Sequence, residues 1–183
     1  MSIVKGIAAG ATAGLVASYV MNQFQSAWGK LTEDEERPHG AQMLQQGSPE
    51  HGIGRELAER GVDEPADDAT MRTANAVSEL VLNHHLAKAE KQKAGSVVHY
   101  AFGASTGAVY GAVAEVMPAA TVCEGTAFGA AVWLLADEGV VPALGLSRKA
   151  TDYPVKVHTN AFVAHLVYGF TTELVRRAVL KAL

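Results

Sequence analysis

Four apolar stretches, separated by polar ones, dominate the chain of 183 residues. They cover residues 3–24, 96–117, 121–138 and 155–180, and the first of them is charged only at Lys5. The first and second have about the length of a helix that crosses the hydrocarbon core of a bilayer. The pattern predicts an all-α integral membrane bundle of four transmembrane helices.

Each stretch carries small or polar residues at every fourth position, which places them along one ridge of a helix. The glycines on these ridges are Gly6, Gly10, Gly14, Gly103, Gly107, Gly111, Gly125, Gly129 and Gly169. A glycine costs about 1 kcal/mol relative to alanine in a soluble helix, whereas membrane helices use glycine to bring their backbones close together. We therefore expect glycine-zipper packing between the four helices.

Residues 25–95 form a polar insert, which contains 13 acidic residues and 8 basic ones. Proline, glycine and clustered acids predict a loop at 32–40. A helix capped by Asp68 or Thr70 is predicted to run to about Lys93, either on the membrane surface or as an extension of the next helix. The predicted organisation is a first transmembrane helix (1–24), the partly helical insert (25–95) and a three-helix membrane region (96–183, with helices at 96–117, 121–138 and 155–180).

Two other interpretations of the pattern remain open. A cleaved signal peptide would also begin with a lysine and an apolar stretch, although the cleavage cue at Ser26–Ala27 is poor. A soluble bundle rich in alanine and glycine would fit the mean hydropathy of +0.09. We favour the membrane interpretation because the same kind of ridge recurs in all four stretches.

Composition and motifs exclude several classes of function. The net charge is −4 and no basic tract is present, so no nucleic-acid partner is expected. The single Cys123 excludes an internal disulfide. The chain has neither a G-x-S-x-G nucleophile motif nor a phosphate-binding loop between a strand and a helix. We therefore predict a non-enzymatic protein with no catalytic residue, and the sequence names no cofactor.

If the four helices alternate in direction, the ionisable residues form two clusters, one at each end of the bundle. One cluster contains Glu115, Glu124, Glu173, Arg176 and Arg177. The other contains Asn22, His99, Asp137, Glu138 and His158. A carboxylate inside the hydrocarbon layer costs about 2.5–3.5 kcal/mol, so such groups usually face the protein interior and have partners.

The two clusters have two interpretations. In the first they serve packing and interface placement, and Glu173 pairs with Arg177 at a spacing of four residues. In the second they form a path for a proton or a cation. The carboxylates proposed for that path are Glu115, Glu124, Glu173 and Asp137. His99 and His158 are named as candidate metal ligands with little motif support, because no H-x-x-x-H or E-x-x-H pair lies on one helix.

Three segments resemble the YagU family of bacterial inner-membrane proteins, whose function is uncharacterised. They are HYAFGASTGAVYGAVAE (99–115), GTAFGAAVWLLADEGVVPALGLS (125–147) and HLVYGFTTELVRR (165–177). The resemblance covers roughly residues 97–177. The first predicted helix resembles the family only in its general character, without a matching motif. The resemblance implies a multi-pass protein of the bacterial inner (cytoplasmic) membrane, and it implies no activity.

Two functions follow as expectations. The first is a structural or accessory subunit, which packs on itself or on a larger membrane-protein complex through its glycine-rich helix faces. The second is a proton or cation (metal) pathway, or a homeostasis protein that uses the intramembrane carboxylates and histidines. The expected partners are membrane lipid and either further copies of the chain or a larger membrane complex.

Overall fold

The structure, a computed structural model, describes residues 2–31 and 47–183. All regular elements within these residues are helical, which confirms the all-α class. The helices are α1 (Ile3–Leu31), α2 (Gly52–Glu59), α3 (Ala69–Leu82), α4 (Lys88–Val116), α5 (Thr126–Val132), α6 (Val141–Ala143) and α7 (Val155–Ala182). Turns of 3₁₀-helix cover Pro118–Gly125 and Ala150–Asp152, and a π-helical segment covers Trp133–Val140. The predicted loop at 32–40 lies outside the described residues.

The chain divides into two compact units. Unit 1 comprises Met1–Ala41, Tyr100–Leu134 and Asn160–Leu183, and unit 2 comprises Gln42–His99 and Leu135–Thr159. Unit 1 therefore contains α1, α5 and most of α4 and α7. Unit 2 contains α2, α3, α6 and the first turns of α4 and α7.

Helix α1 ends at Leu31, whereas the sequence predicted its end at Phe24. Polar residues follow Phe24 and end the apolar stretch. None of the residues from 25 to 31 is a proline, so the helical hydrogen bonds continue through them. Hydrophobicity located the apolar stretch correctly, but it did not locate the end of the helix.

The helix predicted from Asp68 to about Lys93 is two separate helices, α3 and α4. Its predicted cap is confirmed, because the Asp68 carboxylate accepts hydrogen bonds from the backbone N–H groups of Thr70 and Met71. These bonds satisfy two of the donors that a helix leaves unpaired at its start.

Helix α3 ends because Asn83 adopts a left-handed conformation with φ of 51°. Two side chains of α3 hold the chain beyond this point. The Ser78 hydroxyl donates to the carbonyl of His84 at 2.8 Å, and the Asn75 side-chain oxygen accepts from the N–H of Leu86 at 3.0 Å. Periodicity did not predict this break, because it depends on side-chain bonds to residues beyond the helix.

The third apolar helix was predicted at 121–138, but α5 begins only after a left-handed turn. Cys123, Glu124 and Gly125 have φ values of 57°, 53° and 82°. Three consecutive residues in this region cannot continue a right-handed helix. Beyond α5 the helix widens into the π-helical segment and then tightens again in α6.

In unit 1, α1 lies antiparallel to α4, with backbone against backbone. Three glycines of α1 face three glycines of α4, and a Cβ atom added to any of the six would overlap an atom of the opposite helix. The facing pairs are Gly6 with Gly111, Gly10 with Gly107, and Gly14 with Gly103. Residue numbers rise along α1 while they fall along α4, which defines the antiparallel direction.

The pairing of α5 with α7 follows the same plan within unit 1. A Cβ atom at Gly125 would overlap the carbonyl oxygen of Gly169, and one at Gly129 would overlap the carbonyl oxygen of His165. Each of the nine glycines identified in the sequence therefore lies where a side chain would collide with a neighbouring helix of the same unit.

Unit 2 is held together by buried ion pairs. The Arg72 guanidinium is fully buried, bonds the Asp63 carboxylate at 2.7 Å, and donates to backbone carbonyls of other segments, including that of Leu146. Lys91 Nζ lies 2.6 Å from Asp67 Oδ2 in a second buried pair. Removing one member of such a pair leaves an uncompensated buried charge, so each of these charges depends on its partner in the folded arrangement.

Two helical stretches, Ile3–Leu31 and Pro118–Ala143, are long and apolar enough to cross a membrane by length and composition. Helices α4 and α7 were also predicted to span the membrane, but they are not among the stretches that meet this criterion. Their glycine, hydroxyl and ionisable residues lower their mean hydropathy. The structure therefore contains two candidate spans among the described residues.

Replacing Gly107 by alanine is expected to destabilise the protein, although alanine is the better helix former. The added methyl group would overlap the carbonyl oxygen of Gly10 and the Cα of Gly14. Forcing the helices apart should cost about 1–3 kcal/mol, as at other overpacked sites. Gly29→Ala is the matched control, because a Cβ there meets no atom of another described segment within 4 Å. Thermal unfolding in detergent measures both variants, and an unchanged midpoint for Gly107→Ala would contradict the close contact.

Candidate functional site

Helix α7 carries Glu173, Arg176 and Arg177 within one helical turn of unit 1. Arg176 binds the Glu173 carboxylate through two nitrogens, with Nε 2.8 Å from Oε2 and Nη2 3.0 Å from Oε1. Arg177 Nε lies 2.6 Å from Glu173 Oε1, which confirms the predicted pair at a spacing of four. The Glu173 side chain is only 1% exposed, so these charge-assisted bonds stabilise a buried anion.

Helix α4 contributes two further groups to this site. The Tyr110 hydroxyl donates to Glu173 Oε2 at 2.9 Å, and Arg176 Nη1 donates to Glu115 Oε1 at 3.2 Å. The Arg176 guanidinium also lies 5.9 Å from the centre of the Tyr110 ring, within range of a cation–π interaction. Arg176 therefore links α4 and α7 through both a carboxylate and an aromatic ring.

The left-handed turn before α5 supplies the third carboxylate. Arg177 Nη1 lies 2.5 Å from Glu124 Oε2, and the Glu124 side chain is 59% exposed. The structure thus brings together the three glutamates predicted for one end of the bundle, and it places both arginines among them. We refer to Tyr110, Glu115, Glu124, Glu173, Arg176 and Arg177 as the ionic cluster.

The bonding in the ionic cluster limits its chemistry. Glu173 accepts four hydrogen bonds, from Tyr110, Arg177 and twice from Arg176, which fixes it as a carboxylate with little remaining acceptor capacity. Glu115 differs, because its Oε2 is buried and has no hydrogen-bond partner in the described part of the chain. Of the two buried carboxylates, Glu115 is therefore the one with an oxygen still available to a proton or a cation.

Two buried tyrosines, Tyr110 of the ionic cluster and Tyr168, were not selected by the sequence analysis. The Phe128 ring lies between them, 4.3 Å from the Tyr110 ring and 5.9 Å from the Tyr168 ring. The Tyr168 hydroxyl donates to the carbonyl of Gly103 at 2.7 Å. The pattern V-Y-G-x-x-x-E occurs at both tyrosines, and this repeat is the sequence signal that could have identified them.

The family described as "Protein of unknown function (DUF1440)" matches residues 69–174. The chain belongs to the DUF1440 family. No curated protein and no solved structure gives a significant match. The DUF1440 segment includes all three glutamates of the ionic cluster and ends before Arg176. Because this family has no assigned function, the comparisons provide no evidence of enzyme activity.

Four residues of the second predicted cluster, His99, Asp137, Glu138 and His158, lie in unit 2 of the DUF1440 chain, whereas the fifth, Asn22, lies in unit 1. Asp137 and Glu138 are neighbours in the π-helical segment, and Glu138 Oε1 lies 2.6 Å from His158 Nδ1. His158 Nε2 lies 3.0 Å from the carbonyl oxygen of Ala150. Since an oxygen acceptor faces each ring nitrogen, this arrangement favours an imidazole that donates from both.

A metal site at His99 and His158 receives no support from the structure. Within residues 2–31 and 47–183, no group of three or more histidine, cysteine, aspartate or glutamate side chains could hold a metal ion. The centre of the Tyr153 ring lies 6.4 Å from that of the His158 ring. Burial raises the pKa of the Tyr153 hydroxyl, so this hydroxyl remains neutral. The His158 side chain therefore stabilises the start of α7 through its bond to Glu138.

Replacing Arg176 by methionine is expected to destabilise the DUF1440 chain by about 3–5 kcal/mol, because Glu115 and Glu173 would then be buried without their shared cation. Adding Glu173→Gln to this variant should restore part of the loss by removing one of the two charges. Arg177→Met is the matched control and should cost less, since Arg176 would still bind Glu173. Chemical or thermal unfolding in detergent measures all three, and equal losses for Arg176→Met and Arg177→Met would argue against the central role of Arg176.

Proposed function

We propose that the chain is an integral membrane protein with a structural or accessory role. The observation that carries this proposal is the distribution of side chains in unit 1. Many valines, leucines and isoleucines of unit 1 are exposed, whereas its buried residues are mostly glycine, alanine and ionised or polar side chains, together with Met21, Tyr110 and Tyr168. In a protein surrounded by water this distribution would be unfavourable, because large apolar patches rarely remain exposed.

The exposed fractions of individual residues illustrate this distribution. Val4, Val109 and Leu174, on three different helices of unit 1, are 73%, 64% and 59% exposed. Thr172 and Glu173 are 0% exposed. Lipid chains would cover the outer valines and leucines, and the buried charges would avoid the hydrocarbon layer by facing one another.

We propose that all four apolar stretches span the membrane as a glycine-zipper bundle. The glycine contacts of α1 with α4 and of α5 with α7 support this interpretation, because close backbone approach through small residues is typical of membrane helices. The modest hydropathy of α4 and α7 has a physical explanation in this proposal. Several of their polar residues, including Tyr110, Thr172 and Glu173, are buried within unit 1 and would not contact lipid.

The bacterial inner membrane is the proposed location, and its support is the resemblance of residues 97–177 to the YagU family.

The accessory role needs a surface for partners. The glycine rows are filled by helices of the same chain, so a partner docking on them would have to displace one of these helices. We therefore propose that further copies or a larger complex contact the outer aliphatic faces.

Membrane extraction tests the proposal. The chain is expected to stay in the membrane pellet through an alkaline carbonate wash, because its apolar faces are covered by lipid, and to dissolve only in detergent. A peripheral membrane protein, which the wash releases, serves as the control. Release of the chain by carbonate alone would contradict membrane integration.

Native mass measurement in mild detergent then tests the accessory role. After the mass of bound detergent is subtracted, a protein mass larger than the 19.2 kDa of one chain is expected. A lone monomer under gentle extraction would remove the support for a subunit role while leaving the membrane assignment intact.

A proton or cation pathway is the second candidate, and two observations favour it. The first is the buried Oε2 of Glu115, which has no hydrogen-bond partner among the described residues. The second is a row on α1, where Ser18, Asn22 and Gln25 have buried polar atoms without hydrogen-bond partners in the described residues. Buried polar atoms usually have a partner, such as ordered water, so we propose this row as part of a route for polar species in unit 1.

Flux measurements in liposomes test this second candidate. If a path exists, the purified chain should carry protons or monovalent cations, and Glu115→Gln should abolish the flux because an amide cannot titrate. Glu56→Gln, at an exposed position of α2, is the control and should leave the flux unchanged. Flux equal to that of protein-free liposomes would exclude the pathway, and unchanged flux in Glu115→Gln would remove this carboxylate from it.

A further inference from the structure

The two helix pairs of unit 1 resemble each other in sequence. We refer to α1 with α4 as the first hairpin and to α5 with α7 as the second hairpin. Residues 6–16 of α1 align without a gap with residues 125–135, which include α5, and residues 103–116 of α4 align with residues 161–174 of α7. The motif V-Y-G-x-x-x-E lies in both α4 and α7. The identical pairs in the first alignment are Gly6 with Gly125, Ala8 with Ala127, Gly10 with Gly129, Ala11 with Ala130 and Leu15 with Leu134.

The contacts within the hairpins repeat in the same register. In the first hairpin, Gly6 lies against Gly111, and in the second hairpin their equivalents Gly125 and Gly169 lie against each other. Burial repeats as well, because buried residues occupy the same positions of both aligned helices. The buried residues Gly103, Gly107, Tyr110, Gly111 and Ala114 of α4 correspond to the buried residues Ala161, His165, Tyr168, Gly169 and Thr172 of α7.

The contacts between the hairpins indicate a two-fold axis along the bundle. Phe128 of α5 stacks on Tyr110 of α4, and Ala17 and Met21 of α1 pack with Tyr168 of α7. The first helix of each hairpin thus packs on the second helix of the other hairpin. Helices α4 and α7 run parallel, because residue numbers rise together in the pairs between them. These pairs are Thr106 with Tyr168, Tyr110 with Glu173, and Glu115 with Arg176.

We propose that the two hairpins are copies of one structural unit, and that the inner face of each is an interaction surface whose partner is a hairpin of the same kind. This inference goes beyond the proposed function and does not depend on it, since it rests on contacts within unit 1. Tyr110 and Tyr168 occupy equivalent positions, and each donates its hydroxyl to the other hairpin. The acceptors are the Glu173 carboxylate for Tyr110 and the Gly103 carbonyl for Tyr168.

The charges on the two inner faces differ, and this difference makes the pairing selective. Glu115 and Glu173 are equivalent, but Pro118 occupies the position in the first hairpin that Arg176 occupies in the second. The first hairpin therefore contributes the buried Glu115 carboxylate, and the second hairpin contributes the guanidinium that binds it. Two first hairpins would instead bring two buried carboxylates together without this cation, which is unfavourable. Selectivity of this kind comes from penalising the wrong pair as well as from stabilising the right one.

Distances between pairs of spin labels test the proposal in the full chain in detergent. Cys123 is the sole cysteine, so a Cys123→Ala background allows labels at chosen positions. Thr12 is equivalent to Ala131, and Val116 is equivalent to Leu174, and all four are exposed. If the hairpins are copies, the distance from Thr12 to Val116 should equal that from Ala131 to Leu174. If a two-fold axis relates them, the distance from Thr12 to Leu174 should also equal that from Ala131 to Val116.

A label at Ala127 is the matched control for Ala131, because both are exposed residues on the same side of α5. Gly125, at the start of this helix, lies beside Glu173. Moving the label from Ala131 to Ala127 should therefore shorten the distance to Leu174, which shows that the method resolves one helical turn. Unequal distances within the two hairpins would overturn the duplication. Unequal distances between the hairpins would overturn the shared interaction surface.

The variant Arg176→Met tests the selective charge. It should broaden the distance distribution between Thr12 and Leu174, which lie in different hairpins. The distribution between Thr12 and Val116 should stay narrow, because the glycine contacts of the first hairpin remain. An unchanged distribution between Thr12 and Leu174 would overturn the role of Arg176 in pairing. Equal broadening of both distributions would overturn the hairpin as a separate unit.

Discussion

Unit 1 depends on the close approach of helix backbones at glycine. Where Gly10 faces Gly107, neither helix has room for a side chain, and a side chain at Gly129 would overlap the backbone of His165. Helices this close gain dispersion contacts along their backbones. The glycine faces have no room for bulky residues, and many of the branched aliphatic side chains of these helices lie on the outer sides, which makes the exterior of the unit apolar.

The ionic cluster continues from the same glycine rows. Glu115 follows Gly111 by four residues, and Glu173 follows Gly169 by four residues, so each carboxylate lies one step beyond a glycine on the same ridge. The two rows thereby place both carboxylates within reach of Arg176. Packing and charge are coupled here, because a shift of either helix pair would separate these carboxylates from their shared guanidinium.

Unit 2 is organised differently, by buried ion pairs rather than by glycine contacts. Arg72 and Lys91 are almost completely buried, and each reaches across the sequence to an aspartate and to backbone carbonyls. Such pairs are more valuable for selecting one arrangement than for net stability, because desolvation offsets much of their attraction. The acidic composition of the insert is explained in part by these internal pairs, and it does not by itself indicate an external basic partner.

The sequence by itself determined the helical class, the cap of α3 at Asp68 and the ridges at a spacing of four, because these depend on residues within one or two helical turns of each other. It also indicated that Glu115, Glu124 and Glu173 lie near one another. Only the tertiary structure decided that α1 faces α4 and α5 faces α7, that Asn83 ends α3, and that Arg176 joins Glu115 to Glu173. Those features join groups on different helices or beyond a helix end, and a periodic pattern contains no information about which neighbour a ridge will meet.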